Sequence, residues 1–167
     1  YLTRNPNNVS LFLYERFFFN VFGESGLWVM QSLNIVYTNV TALILYKGCQ
    51  KYFSQKTADA VFSLYVLLLG FSPYFFSMYT DIPPLPFISL QIFLVLGLLK
   101  GEESSRQLVW RSIFLGLMTS LAFFFRPTVM ILLIAVFGVL FFKKNWKKFF
   151  LTLVVFACSF AISYAPL

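Results

Sequence analysis

Residues 129–148 read VMILLIAVFGVLFFKKNWKK, an uninterrupted apolar run that ends in a cluster of lysines. A soluble domain of 167 residues does not need such a run to build its core, whereas a helix that enters a bilayer does. The rest of the chain has the same character, with 59% hydrophobic, 21% aromatic and only 11% charged residues. This composition indicates an all-α, polytopic integral membrane protein of the cell membrane.

The basic residues fall into three clusters between the apolar segments. The clusters are Lys47, Lys51 and Lys56; Lys100, Arg106 and Arg111; and Lys143, Lys144, Lys147 and Lys148. Basic residues collect in the short cytoplasmic loops of membrane proteins, so the clusters orient the chain and account for its net charge of +7. Anionic membrane lipids are the expected neighbours of these loops, and a nucleic-acid partner is not expected.

The spacing of the apolar segments predicts a single transmembrane domain over residues 1–167. It comprises an amphipathic helix at the outer interface, residues 8–22, and six membrane-crossing segments within residues 27–164. The six crossing segments are residues 27–46, 58–78, 84–99, 109–125, 127–142 and 149–164.

The fifth and sixth segments are short and meet at Arg126-Pro127, so they could also form one kinked helix. Both outer ends of the pair are basic, which favours a hairpin with both ends inside the cell. A charge at the tip of such a hairpin must face protein or water rather than lipid.

This topology places residues 1–8, residues 79–83 and Arg126 on the outer face. Four unusual polar motifs lie on that face: Arg4-Asn5-Pro6-Asn7-Asn8, Glu15-Arg16, Tyr79-Thr80-Asp81 and Arg126-Pro127-Thr128. Asn7 or Asn8 has a plain structural use as the cap of the interfacial helix. A solvated helix face is the expected place for Glu15 and Arg16.

Asp81 has two readings. Its carboxylate can cap the helix that begins near Pro84, because side-chain oxygens accept hydrogen bonds from free N–H groups there. It can also be held at the membrane surface as a metal ligand or a polar anchor for an acceptor. With no histidine in the chain, Asp81 is the only candidate ligand, and a divalent cation as cofactor is left open.

Arg126 also has two readings. Its guanidinium presents several donors in a fixed fork that suits a phosphate group. The alternative is an arginine that snorkels to the lipid head groups. Pro127 is favourable at the first position of the helix that follows. The hairpin tip favours the phosphate reading, because it lies slightly below the membrane surface.

Taken together, these motifs resemble the polytopic glycosyltransferases of the GT-C superfamily, in particular bacterial members related to protein mannosyltransferases. The resemblance covers essentially the whole chain. It rests on Asn5-Pro6-Asn7-Asn8 before an outer helix, on Tyr79-Thr80-Asp81 before Pro-Leu-Pro, and on Phe125-Arg126-Pro127-Thr128. It implies a module of seven transmembrane helices, of which this chain would hold the second to the seventh.

Such enzymes transfer a sugar from a polyprenyl-phosphate carrier to a glycan, lipid or protein acceptor on the outer face. By resemblance, Asp81 matches the acidic residue of the second outer loop and is the candidate catalytic residue. Arg126 would contact the lipid-linked phosphate, and Asn7 and Asn8 lie where the first outer loop closes over the site. The remaining candidates for substrate binding are Tyr79 and Arg4.

One element of the family pattern is absent. The family's principal catalytic carboxylate lies upstream of the motif around Pro6, and this chain starts at Tyr1 without a methionine. The sequence is therefore expected to be an internal piece of a longer protein and to be inactive alone.

Two other functions remain open. A transporter or flippase of lipid-linked glycans should carry ionisable residues or broken helices near the bilayer midplane, often with internal repeats. A structural subunit should show small-residue seams such as Gly-x-x-x-Gly, and the one pair of that spacing, Gly97 and Gly101, straddles the end of a predicted segment rather than lying within it. Charges at the segment ends and the lack of a repeat favour the transferase.

Overall fold

The computed structural model describes residues 9–73, 81–100 and 104–165, and all regular structure in these ranges is helical. The described α-helices are α1 (Val9–Phe22), α2 (Gly26–Tyr52), α3 (Gln55–Leu69), α4 (Leu85–Lys100), α5 (Ser105–Phe125), α6 (Met130–Phe142) and α7 (Trp146–Tyr164). The predicted fold class, an all-α membrane helix bundle, is confirmed. The chain divides into two compact units, one ending at Ser89 and one beginning at Leu90. The prediction of a single domain stays a prediction.

Three described helical stretches are long and apolar enough to cross a membrane: Val9–Tyr52, Ser105–Phe125 and Trp146–Tyr164. Two shorter apolar helices, Leu85–Lys100 and Pro127–Phe142, accompany them. A helix of 16 residues such as α4 rises about 24 Å, somewhat less than the ~30 Å of a bilayer's hydrocarbon core. Helices thus stand where the sequence predicts segments, but α3 ends at Leu69, short of the predicted limit at residue 78. The number of crossings remains a prediction.

The first of these stretches is two helices joined by a tight turn. Gly23 has φ +58°, a left-handed conformation that glycine adopts without steric cost. A Cβ built on Gly26 would lie 3.0 Å from the carbonyl oxygen of Phe18. A continuous helix would separate residues 18 and 26 by about 12 Å, so α1 folds back onto α2. No described side chain of α1 is fully buried, and its predicted place at the membrane interface stays a prediction.

Helices α2 and α3 form an antiparallel hairpin in the first unit. The Tyr65 hydroxyl of α3 donates to the Thr38 carbonyl of α2 at 3.0 Å. Nearer the turn, the rings of Tyr46 and Phe62 meet at 5.6 Å. Ser54 begins α3, because its hydroxyl accepts a hydrogen bond from the Thr57 amide. The first predicted basic cluster therefore lies at the closed end of this hairpin.

Helices α5 and α7 pack side by side, in parallel, in the second unit. The Ser159 hydroxyl donates to the Ile113 carbonyl at 2.9 Å, and the Ser163 hydroxyl donates to the Ser120 hydroxyl at 2.8 Å. Between these bonds, a Cβ built on Gly116 would lie 2.7 Å from the side chain of Ser159. The two backbones approach closely because Gly116 has no side chain.

Helices α5 and α6 form the predicted hairpin. Phe141 of α6 contacts Phe149 and the earlier Phe137 contacts the later Phe156, so α6 runs antiparallel to α7, which is parallel to α5. At the end of α6, the Lys143 ammonium donates to the Leu99 carbonyl at the end of α4, at 3.2 Å. The end of α6 therefore lies beside the end of α4, far from the Arg126-Pro127 break, which excludes one kinked helix.

A buried polar contact joins α4 to α5. The Gln91 amide nitrogen donates to the Thr119 hydroxyl at 3.0 Å, and both residues have no exposed surface. The Thr119 hydroxyl in turn donates to the Leu115 carbonyl. Among the described residues, the other atom of the amide, Gln91 Oε1, is buried without a hydrogen-bond partner.

These contacts predict that apolar substitutions of Thr119 and Gln91 will lower the stability of the protein by unequal amounts. Thr119→Val should destabilise the protein by about 1–2 kcal/mol, because the buried Gln91 amide then loses its acceptor. Gln91→Leu should cost less than Thr119→Val, because it also removes the unpartnered oxygen. The check is reversible unfolding in mixed micelles of both single variants and the double variant. A larger loss for Gln91→Leu would contradict the prediction.

Candidate functional site

Asp81 lies exposed in the turn that leads into α4. The residues after it are anchored, since Ile82 is 2% exposed and both Pro83 and Pro84 are fully buried. The Pro84 carbonyl accepts the hydrogen bond of the Ile88 amide at 2.9 Å and so begins the helix. The carboxylate therefore stands on the exposed side of a segment that buried prolines hold in place.

Arg126 occupies the break between α5 and the 3₁₀ turn Pro127–Val129. Its backbone is extended, with φ −142° and ψ 101°, because the proline that follows disfavours the helical conformation at this residue. Its amide still donates to the Ala122 carbonyl at 2.8 Å, and its carbonyl accepts from the Val129 amide at 3.2 Å. Both backbone groups are satisfied, so the backbone at Arg126 is held in place, and the side chain is half-buried.

The other predicted site residues, Arg4, Asn7, Asn8 and Tyr79, lie outside the described residues. Asp81 belongs to the first compact unit and Arg126 to the second, and each is described by itself. The joint site predicted from the sequence therefore stays a prediction.

Charge is distributed unevenly along the second unit. Lys143 reaches the end of α4, the ring of Phe141 meets that of Trp146 at the start of α7, and α5 runs parallel to α7. The start of α5, the start of α7 and the ends of α4 and α6 therefore share one basic end. The basic residues of this end are Lys100, Arg106, Arg111, Lys143, Lys144, Lys147 and Lys148. Arg126 alone among the described cations of this unit lies at the opposite end.

The polar residues within the described helices largely satisfy their own hydrogen bonds. The hydroxyls of Thr38 and Thr41 donate to the carbonyls of Asn34 and Tyr37, and the Asn39 amide donates to the Ile35 carbonyl. Such bonds to the preceding helical turn remove the need for a polar cavity in the membrane.

A cavity of about 420 Å³ lies between α2 and α3, lined by Thr38, Asn39, Phe62 and Tyr65 together with aliphatic residues. Its hydroxyl and amide donors are engaged by backbone carbonyls, and no charged residue lines it. This cavity suits an apolar occupant better than a phosphate or a sugar.

No group of three or more His, Cys, Asp or Glu side chains that could hold a metal ion is found among the described residues. The divalent cation considered for Asp81 therefore stays a prediction.

Sequence reasoning missed the seam that joins α5 to α7. Small residues recur every fourth position along α5, at Ser112, Gly116 and Ser120; of these, Gly116 faces Ser159 and Ser120 contacts Ser163 of α7. A search for two glycines overlooks this pattern, because serine also permits close approach of helices. The seam lies within one chain and therefore says nothing in favour of a structural subunit.

Comparison with known proteins supports the assignment of the chain to the membrane proteins but assigns no activity to it. Neither the curated proteins nor the solved structures contain a significant match. A family model described as "conserved hypothetical integral membrane protein" matches residues 1–167, and no glycosyltransferase family model does. The chain therefore belongs to this family of conserved hypothetical integral membrane proteins.

Proposed function

We propose that this protein is an integral membrane glycosyltransferase of bacterial GT-C type. It transfers a sugar from a polyprenyl-phosphate donor to an acceptor of the cell envelope on the outer face of the membrane. The observation that carries the proposal is the position of Arg126. It is the one described cation of the second unit that lies away from the basic end, and it stands where α5 breaks.

The position of Arg126 matters because a charged residue at a helix break is costly in a membrane and commonly marks a functional site. The basic end marks the cytoplasmic side by the positive-inside rule, so Arg126 belongs to the outer side. A polyprenyl phosphate presents its phosphate at that level. The planar guanidinium pairs with phosphate oxygens through two parallel hydrogen bonds, and it neutralises the charge that develops on the leaving phosphate.

The proposal also gives a role to Asp81, which precedes α4, because the family resemblance matches it to the acidic residue of the second outer loop. By the family resemblance, Asp81 orients the acceptor or a divalent cation. The principal base that deprotonates the acceptor hydroxyl would come from the family's first outer loop.

The test compares two single substitutions, each of which replaces one carboxylate by an amide. Asp81→Asn in the full-length protein, expressed at wild-type level in its native host, should abolish one defined sugar of the envelope glycans. Asp59→Asn is the matched control, because Asp59 is an exposed carboxylate of α3 near the basic closed end of its hairpin. For both variants, mass spectrometry measures the envelope glycans and the polyprenyl-phosphate sugars.

Loss of the sugar with accumulation of its lipid-linked donor in Asp81→Asn alone supports the proposal. Unchanged glycans in Asp81→Asn remove this residue from the site. A donor that accumulates only on the cytoplasmic leaflet would favour the transporter instead, because translocation rather than transfer would then have stopped.

A further inference from the structure

The exposed side of the α5–α7 pair carries an apolar groove that is not part of the proposed transferase site. Its cavity of about 540 Å³ lies between the two parallel helices. The walls are almost wholly aliphatic, and the residues that define them include Val109, Ile113, Leu117, Val154, Cys158 and Ile162. Val154 and Ile162 are 57% and 76% exposed, so the groove opens to the surroundings rather than into the core.

The groove begins at the basic end of the second unit. On α5, Arg106 precedes Val109 by three residues and Ile113 by seven, which places it on the same helix face. On α7, Lys147 precedes Val154 by seven residues and Cys158 by eleven, again on one face. Since α5 and α7 are parallel, both cations stand at the same end of the groove.

Lys148 adds a third cation at this end. It precedes Val155 and Ser159, two further lining residues, by seven and eleven positions. Like charges gathered at one end of the unit repel one another, and an anion bound among them relieves the repulsion. A long apolar groove that ends in clustered cations is complementary in shape and charge to an anionic lipid.

From this geometry we infer that the α5–α7 groove binds an anionic phospholipid of the cytoplasmic leaflet, with one acyl chain between the helices and its phosphate at Arg106, Lys147 and Lys148. Basic pockets between transmembrane helices on the cytoplasmic side are known to hold such head groups. The site lies at the end of the unit opposite Arg126, so it is separate from the proposed catalytic site.

The test measures lipid retention by the full-length protein. The protein is exposed to equal amounts of phosphatidylglycerol and phosphatidylcholine in mixed micelles, and native mass spectrometry counts the lipids that stay bound. Wild type should retain phosphatidylglycerol selectively. The triple variant Arg106→Gln, Lys147→Gln, Lys148→Gln should lose this selectivity, by about fivefold for each removed charge.

A second triple variant controls for net charge. Lys47→Gln, Lys51→Gln and Lys56→Gln remove the same charge from the α2–α3 hairpin, and the selectivity should survive. Val154→Trp should block the groove and reduce retention while all cations remain. Ile131→Trp, at another highly exposed aliphatic position, is its control.

Equal loss in the two triple variants would overturn the inference, because the effect would then follow total charge. Full retention in Val154→Trp would overturn it as well. A third arm offers undecaprenyl phosphate in competition with phosphatidylglycerol. If the carrier lipid displaces the phospholipid from the wild type, the groove serves the carrier and the inference is wrong. None of these outcomes depends on transferase activity, so they are separable from the proposed function.

Discussion

Replacing Gly116 by leucine should force α5 and α7 apart and produce the largest loss of stability among single substitutions in the second unit. A Cβ at this position would already lie 2.7 Å from the Ser159 side chain and 3.0 Å from the Phe156 carbonyl oxygen. The serine can rotate, but the carbonyl belongs to the α7 backbone and cannot move alone. Overpacking of this kind costs about 1–3 kcal/mol or more. The hydrogen bonds from Ser159 and Ser163 to α5 would be lost in addition.

Gly138→Leu is the matched control, because a Cβ at Gly138 of α6 would meet nothing within 4 Å. Both substitutions remove a helical glycine, which favours each variant's helix by about 1 kcal/mol. The difference between the two variants therefore isolates the steric term. The measurement is the temperature at which half of the detergent-solubilised protein stops eluting as a single species. Equal midpoints for both variants would contradict the close approach of α5 and α7.

Removal of the Arg126 guanidinium should produce the largest loss of activity. Arg126→Ala should lower transfer by about 10²–10³-fold, the usual effect of deleting one electrostatic stabiliser of a developing negative charge. Arg126→Lys should recover only part of the activity, because an ammonium cannot form the two parallel bonds of the guanidinium fork. The substitution should leave the fold intact, since the bonds that end α5 at Arg126 are made by its backbone.

Lys144→Ala is the control for Arg126→Ala. It removes one exposed cation from the basic end of the same unit and should leave transfer unchanged. Activity is read as release of polyprenyl phosphate by membranes with matched protein levels. Arg126→Ala with wild-type turnover would assign this residue to plain contact with lipid head groups.

Several parts of the fold could be predicted from the sequence, for identifiable physical reasons. Apolar runs bounded by lysines predict helices, and Pro127 predicts the end of α5, because it denies helical geometry to Arg126. The hairpin of α5 and α6 follows from basic residues at both of its outer ends. Each of these features depends on residues close together in the chain.

The seam at Gly116 and the Gln91–Thr119 contact were not predictable in the same way. Both depend on which helix faces which, and hydropathy does not encode the choice of neighbour in a chain that is apolar on nearly every face. The break at Gly23 between the first two helices was predicted, but the fold-back of α1 onto α2, which the positive φ of Gly23 permits, was not. For the candidate site, the sequence singles out Asp81 and Arg126 by their chemistry. Their joint action depends on long-range geometry, which no local pattern specifies.

The central claim, that the protein cleaves a lipid-linked sugar rather than moving it, can be tested with purified components. The full-length protein in vesicles would receive polyprenyl-phosphate sugars extracted from the membranes of its own host, together with envelope acceptors. Mass spectrometry would follow the carrier lipid. Free polyprenyl phosphate with the sugar on the acceptor is the predicted result, and Arg126→Ala should not produce it. Intact donor that only changes leaflet, with no free polyprenyl phosphate, would contradict the account.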